Sequence, residues 1–184
     1  MSIIYFADVF SQIIDRRSAF TYKHSRGIAD LVNKVVLALG YDGEVQDKMY
    51  ISALLHDIGK LVVPNEIIDK NGKLDEEERY QINKHTYFTR WILEQIEGFD
   101  EIVEYAANHH EKLNGKGYPF QLKADEISEL ARIMTICDIY QALTEVRPYR
   151  ENMPLEKVWA IIDGMVQKGE LDANLVTKMK SILE

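Results

Sequence analysis

The chain has little of what would tie it to the outside of a cell or to a nucleic-acid polymer. A single cysteine, Cys137, stands in 184 residues, which excludes a disulfide framework and any zinc finger built on thiolates. Proline occurs only four times and glycine ten times, so no collagen-like or low-complexity segment is present. No apolar run reaches the roughly 18 residues a membrane helix needs. The N-terminus carries no basic residue ahead of its apolar stretch, as a secretory signal would, and the expected compartment is the cytoplasm. Positive charge is also short. Lys plus Arg is 22 against 30 Asp plus Glu, a formal net charge of −8, so no general attraction to a phosphate backbone is expected. A phosphate-bearing substrate would need a local source of positive charge, either a metal or a few placed cations.

What is present is helical spacing almost throughout. Ile3, Phe6, Phe10, Ile13 and Ile14 recur at three and four residues, as a first core helix or a dimerisation helix would. A second helix spans Thr21 to Leu39, with Gly40 placed for a left-handed cap. A third runs from about Glu44 to Lys60 and is apolar on several sides, as a central helix is. Leu61 to Leu74 reads as a connection, broken by Pro64 and Asn71-Gly72. Asp75 and Glu78 form a capping box for the helix that carries Tyr80 and Ile82, and a further helical pattern holds Phe88 to Ile96. A short helix begins at Asp100 and ends at His109-His110. Glu111 to Ala124 is a loop, Ser128 to Thr144 a helix, and Pro154 opens another at its favoured first position. Asp172 to Leu183 is the last. No strand alternation or repeat appears. The fold class is all-α, a bundle of about seven to nine helices with one long Gly-rich loop. One domain is expected over 1–184: an N-terminal helix in 1–20, a core in 21–150 and a helical pair in 151–184. The pair packs on the core or forms a dimer surface.

The chemistry-bearing residues fall on these helices. The five histidines are His24, His56, His85, His109 and His110. His56-Asp57 lies inside an apolar helix, where an unpartnered carboxylate is costly. Lys60 shares its face, so Asp57 is either ion-paired to Lys60 or bridges metals while Lys60 points at a bound anion. Gly59 lets a backbone or substrate approach closely. His109-His110 precede a loop, Glu111 to Pro119, whose glycines permit tight turns. Asp138 is a second carboxylate in an apolar helix, and Arg147 and Arg150 follow as solvated cations or phosphate and guanine contacts.

His56-Asp57, with His24 upstream and Asp138 downstream, resembles the HD metal-dependent phosphohydrolase superfamily. His109-His110-Glu111 through Gly115-Lys116-Gly117-Tyr118-Pro119 matches the extended HD-GYP signature, as do Asp138 to Thr144 and Arg147-Pro148-Tyr149. The resemblance covers roughly Tyr22 to Arg150. It implies an HD-domain fold and a cyclic-di-GMP phosphodiesterase that releases pGpG and often GMP. It further implies a first metal on His24, His56, Asp57 and Asp138, and a second on Asp57, His85, His109 and His110. Asp57 would bridge the two, and Lys60 would touch the scissile phosphate. Gly117, Tyr118 and Pro119 would shape the substrate loop, with Arg147 and Arg150 binding the dinucleotide.

The ligand types suit iron, manganese, cobalt, nickel or zinc, and the family leans to iron or manganese. A hydroxide bridging the two metals would attack phosphorus. Some members hold a third metal with an acidic residue one turn before the first histidine. Phe20 stands there, so two metals are expected. Asn114 and Gln141 stand where the family often has Asp and are read as tuning the loop or the ligands' surroundings. The competing readings are an HD phosphohydrolase on another nucleotide such as cGAMP, and a cyclic-di-GMP-binding adaptor without turnover. A homodimer or an upstream sensory or receiver module would be the partners, with no DNA, RNA or membrane.

Overall fold

A computed structural model describes residues 3–16, 24–70, 72–145 and 153–184. Among these residues there are nine α-helices and no strand, only an isolated antiparallel bridge between Asn114 and Lys123. The helices are α1 (Ile3–Asp15), α2 (His24–Ala38), α3 (Gly43–Leu55), α4 (Asn65–Ile68), α5 (Glu76–Leu93), α6 (Asp100–Ala107), α7 (Glu129–Thr144), α8 (Leu155–Gln167) and α9 (Ala173–Leu183). Among the described residues no helix is long and apolar enough to cross a membrane.

Local chemistry sets most of the boundaries. Gly40 has φ +84°, the left-handed conformation that ends α2 without a Cβ penalty. The Asp42, Ser128 and Asp172 side chains accept N–H groups at the starts of α3, α7 and α9. Asp75 accepts from the Glu78 N–H while Glu78 accepts from the Asp75 N–H, so both halves of the capping box form. Pro154 stands one position before α8 rather than inside it.

The centre of the bundle is α2, α3, α6 and α7, with Ile28, Val32, Met49, Leu54, Ala106, Ile133, Met134 and Ile136 sealed from solvent. Val158, Trp159 and Ile162 of α8 and Leu175, Val176 and Met179 of α9 are buried in the same core. The α8–α9 pair therefore packs on the core.

Several elements depart from the sequence expectation. The third helix stops at Leu55 rather than Lys60; His56 and Asp57 form a turn, and Ile58–Val62 is a 3-10 turn. The reason is distant in sequence. The Thr89 hydroxyl of α5 donates to the His56 carbonyl at 2.9 Å, and the Gly59 N–H donates to the Thr89 hydroxyl at 3.0 Å. Backbone groups that would extend α3 are thereby taken by its neighbour. The connection before α5 holds the one-turn α4. The two patterns around Tyr80 and Phe88 lie on one continuous α5, which ends at Leu93, before Ile96.

The apolar repeat of α1 also faces away from the core. Ile3, Phe6, Phe10 and Ile13 are about half exposed, while Ala7, Ser11, Ile14 and Asp15 are buried. Asp15 fixes this rotation. Its carboxylate accepts the Ser25 hydroxyl at 2.7 Å and the Ser25 N–H at 3.2 Å, serving the start of α2 from across the interface.

Candidate metal centre

The ends of helices bring the polar residues together. His24 opens α2, His56 and Asp57 follow α3, His109 and His110 follow α6, while His85 and Asp138 project from within α5 and α7. All are buried except His110, which is partly exposed. Arg147, Arg150 and Phe20 lie outside the described residues.

Three histidines are aimed by the same device. The Nδ1–H of His56 donates to the Ala53 carbonyl at 2.7 Å, that of His85 to Ile82 at 2.7 Å, and that of His109 to Ala106 at 2.6 Å. A carbonyl can only accept, so Nδ1 carries the proton; His85 and His109 thereby keep a lone pair on Nε2, while His56 turns its Nε2 to the Asp57 carboxylate. Each Nε2 then points inward, with those of His85 and His109 3.3 Å apart. Two imidazole nitrogens at that distance, neither free to donate, await a shared cation.

Asp57 stands between two groups. Its Oδ2 lies 3.3 Å from His56 Nε2 and 4.0 Å from His24 Nε2; its Oδ1 lies 3.3 Å from His85 Nε2. Donor atoms of His24, His56 and Asp138 fall within 4.8 Å of one another, as do those of His85, His109 and His110, and those of His56, Asp57 and His109. Asp138 lies 3.8 Å from His24 and 3.9 Å from His110. Lys60 pairs with Asp57 Oδ2 at 2.5 Å, so the ion pair expected from their spacing is formed. His24, His56, Asp57, Lys60, His109, His110 and Asp138 line a cavity of about 170 Å3, with Ala142 its one apolar member among the described residues.

The charge state suits a cation. Burial pushes His85 down to about 3 and His109 to about 4, and holds His110 well below the usual histidine range. These imidazoles are neutral at pH 7. Burial would raise Asp57, but Lys60 and His56 outweigh it and keep the carboxyl ionised. Burial likewise opposes a proton on His56, yet the Asp57 carboxylate beside it raises its affinity. Two buried carboxylates, Asp57 and Asp138, beside the neutral imidazoles of His85, His109 and His110 make a donor set for hard-to-borderline divalent ions.

The Gly-rich loop closes over this cluster. A Cβ on Gly117 would overlap the backbone of Glu111 and Lys112, so glycine is required there. The Tyr118 ring packs on His110 with centroids 4.8 Å apart and reaches His85 at 6.5 Å; its peptide bond to Pro119 is cis. Asn114 turns the loop by accepting the Lys116 N–H at 3.1 Å and donates to the Lys168 carbonyl at 3.0 Å. Gln141 sits against Gly27, where a Cβ would meet its amide at 2.5 Å.

Two residues were not given roles by the sequence reading. Glu111 is buried, and its carboxylate accepts the N–H of Phe120 at 2.6 Å and of Leu122 at 3.0 Å, pinning the loop from within. Glu145 Oε2 lies 3.3 Å from His24 Nδ1, the nitrogen turned away from the cluster. Its signal was its position seven residues after Asp138, directly past the end of α7.

The sequence matches the HD domain family over residues 8–175. The chain belongs to the HD domain family. Its His-His-Glu and Gly-Tyr-Pro run sets it in the HD-GYP subfamily. It is 40% identical over 173 residues to the 3′3′-cGAMP-specific phosphodiesterase 1 of Vibrio cholerae, covering 94% of this chain and 40% of that protein. It is 35% identical over 133 residues to a cyclic di-GMP phosphodiesterase of Pseudomonas aeruginosa, covering 72% and 32%. This HD domain thus spans well under half the length of these relatives. Its fold is similar to that of Bd1817, an HDG"Y"P protein of Bdellovibrio bacteriovorus, with a TM-score of 0.70 over 87% of this chain and 51% of that one, at 20% identity.

Proposed function

We propose that this chain is a metal-dependent phosphodiesterase that opens cyclic-di-GMP to pGpG and then GMP. The observation that carries the reading is the placement of Asp57, with one carboxylate oxygen beside His56 and the other beside His85. The donor set fits two ions. One would lie on His24, His56, Asp57 and Asp138, the other on Asp57, His85, His109 and His110. Iron or manganese is the expected metal. Bound there, the ions would supply Lewis acidity toward a phosphate and a nucleophile at neutral pH.

The chain's own residues do the rest. The backbone-anchored histidines hold their lone pairs on the cluster. Lys60, tied to Asp57 at the mouth of the cavity, is placed to meet a phosphoryl oxygen as negative charge grows on it. Tyr118 and the Glu111-pinned loop cover His110 and limit water. Lys60, with any ions held there, would supply the positive charge that the acidic chain lacks overall. The reaction is assigned to the cytoplasm, with a sensory module or a second copy of the chain as partner.

A second reading has its own support: the 40% identical relative is specific for 3′3′-cGAMP. Both readings are tested by purifying the protein without oxygen and loading Fe(II) or Mn(II). Each dinucleotide is then followed by chromatography, with metal content measured on the same sample. Linear product from cyclic-di-GMP with about two metals per chain is expected. Product from 3′3′-cGAMP alone would replace the first reading with the second. Bound metals and dinucleotide without product would make the chain a binding adaptor.

A further inference from the structure

The metal-centre cavity, at about 170 Å3 and with Ala142 its one apolar lining residue among those described, is too small for a whole cyclic dinucleotide. Pockets for whole ligands of this size run to roughly 300–1,000 Å3. A second, larger cavity of about 560 Å3 is lined by Tyr80, Asn83, Lys84 and Tyr87 of α5 and by Tyr118 and Gln121 of the loop. Tyr118 joins the two: its ring packs on His110 and also lines this second cavity. Tyr80 and Tyr87 are 58% and 50% exposed, unusual for large aromatics that merely fill a core. Tyr87 is braced edge-on by Phe88, with centroids 5.5 Å apart. The Lys84 ammonium lies 4.2 Å from the Tyr80 ring centroid and 3.1 Å from the Gln81 amide oxygen.

We infer that this α5 cleft is the base subsite, taking one guanine of the cyclic dinucleotide whose phosphate sits at the metal centre; the inference rests on the phosphodiesterase reading. Exposed rings beside the histidine–aspartate cluster proposed to take the phosphate offer stacking faces to a purine. Lys84 supplies the selectivity. An ammonium only donates, and guanine presents two acceptors, O6 and N7, on one edge. Adenine sets an amino donor where O6 would be, so it leaves Lys84 poorly paired. The cleft therefore favours dinucleotides that carry a guanine over cyclic-di-AMP, and Tyr80, Lys84 and Tyr87 are its specificity-determining residues.

The test compares wild type with Tyr87→Ala, Tyr87→Phe and Lys84→Met, each checked by thermal melting and loaded with Mn(II). Turnover of cyclic-di-GMP and cyclic-di-AMP is measured, together with calorimetric binding of both. Tyr87→Ala should raise the KM and Kd for cyclic-di-GMP about tenfold with kcat changed little, and Tyr87→Phe should restore them. Lys84→Met should shrink the preference for cyclic-di-GMP over cyclic-di-AMP roughly fivefold. Unchanged KM and Kd in Tyr87→Ala, or an unchanged preference in Lys84→Met, would overturn the subsite. Wild-type turnover of bis(p-nitrophenyl) phosphate, which has no base, separates the two readings. If wild type cleaves neither that ester nor the dinucleotide, the phosphodiesterase reading fails. The Kd comparison then decides the subsite by itself: a tenfold loss in Tyr87→Ala sustains it and equal binding overturns it.

Discussion

Gly59 and His85 are packed so closely that a Cβ on Gly59 would overlap the His85 carbonyl oxygen. The turn after α3 is thus pressed directly against the helix that presents a candidate ligand. Gly59→Ala must push the two apart. It should cost about 1–3 kcal/mol of stability, the usual penalty of overpacking. It should also move His85 away from Asp57, so bound metal falls toward one per chain. Metal analysis beside a thermal melt checks this. Full metal content in a folded variant would show that the contact is only structural.

Asp57 is the carboxylate proposed to be shared by both ions. Asp57→Ala should abolish both metal binding and turnover, whereas removal of a ligand serving one group, such as His24→Ala, should leave roughly half the metal. Elemental analysis of the two variants side by side decides it, and equal metal in both would remove Asp57 from its bridging position.

Lys60 is expected to act on the substrate rather than on the ions. Lys60→Ala should keep the metal content and lower kcat by about 10²–10³, the range for loss of one oriented charge-stabilising donor. Unchanged kcat would leave Lys60 with its ion pair to Asp57 as its whole role.

The metal-free protein should lose stability on mild acidification. His85 and His109 fall to about 3 and about 4 in the folded chain, against about 6.5 unfolded. Between those values the unfolded state binds the extra protons, so stability falls as pH drops below 6.5. His110, also lowered, adds to this, and His56, whose proton affinity is raised, opposes it. The net effect between pH 6.5 and pH 5 is a loss of about 2 kcal/mol or more. Melting of chelator-treated protein across this window would expose the opposite sign as a flat or rising Tm.

Glu111 should govern the loop. Glu111→Ala leaves the Phe120 and Leu122 N–H groups without their buried acceptor, at about 1–3 kcal/mol. With the loop loosened, KM for the dinucleotide should rise while metal content is kept. A KM equal to wild type would mean the loop is held by Gly117 packing and the Asn114 bonds.

Short-range rules made much of this fold legible. The Gly40 cap and the Asp75–Glu78 box depend on residues within a turn of each other, and both form as their spacing implies. For the cluster, the cost of burying Asp57 demanded a partner nearby but left open whether that was Lys60 or a metal, and it was the HD-GYP resemblance that named His24, His85 and Asp138 beside it. The end of α3 was not, since it is decided by Thr89, more than thirty residues away in sequence. Nor was the rotation of α1: periodicity reports an apolar stripe but not which side a buried Asp15 will claim. Glu145 escaped because its partner His24 lies on another helix.

The histidine anchors carry a further consequence. His56, His85 and His109 are each oriented by a main-chain oxygen one turn earlier in the chain. No side-chain substitution at Ala53, Ile82 or Ala106 can delete that oxygen. The aim of these ligands is therefore inherited with the helical turn itself, and sequence drift around the site can proceed without disarming it. Its vulnerable points are instead the places where the turn would be bent or displaced, a proline after Ala53 or a bulkier residue at Gly59.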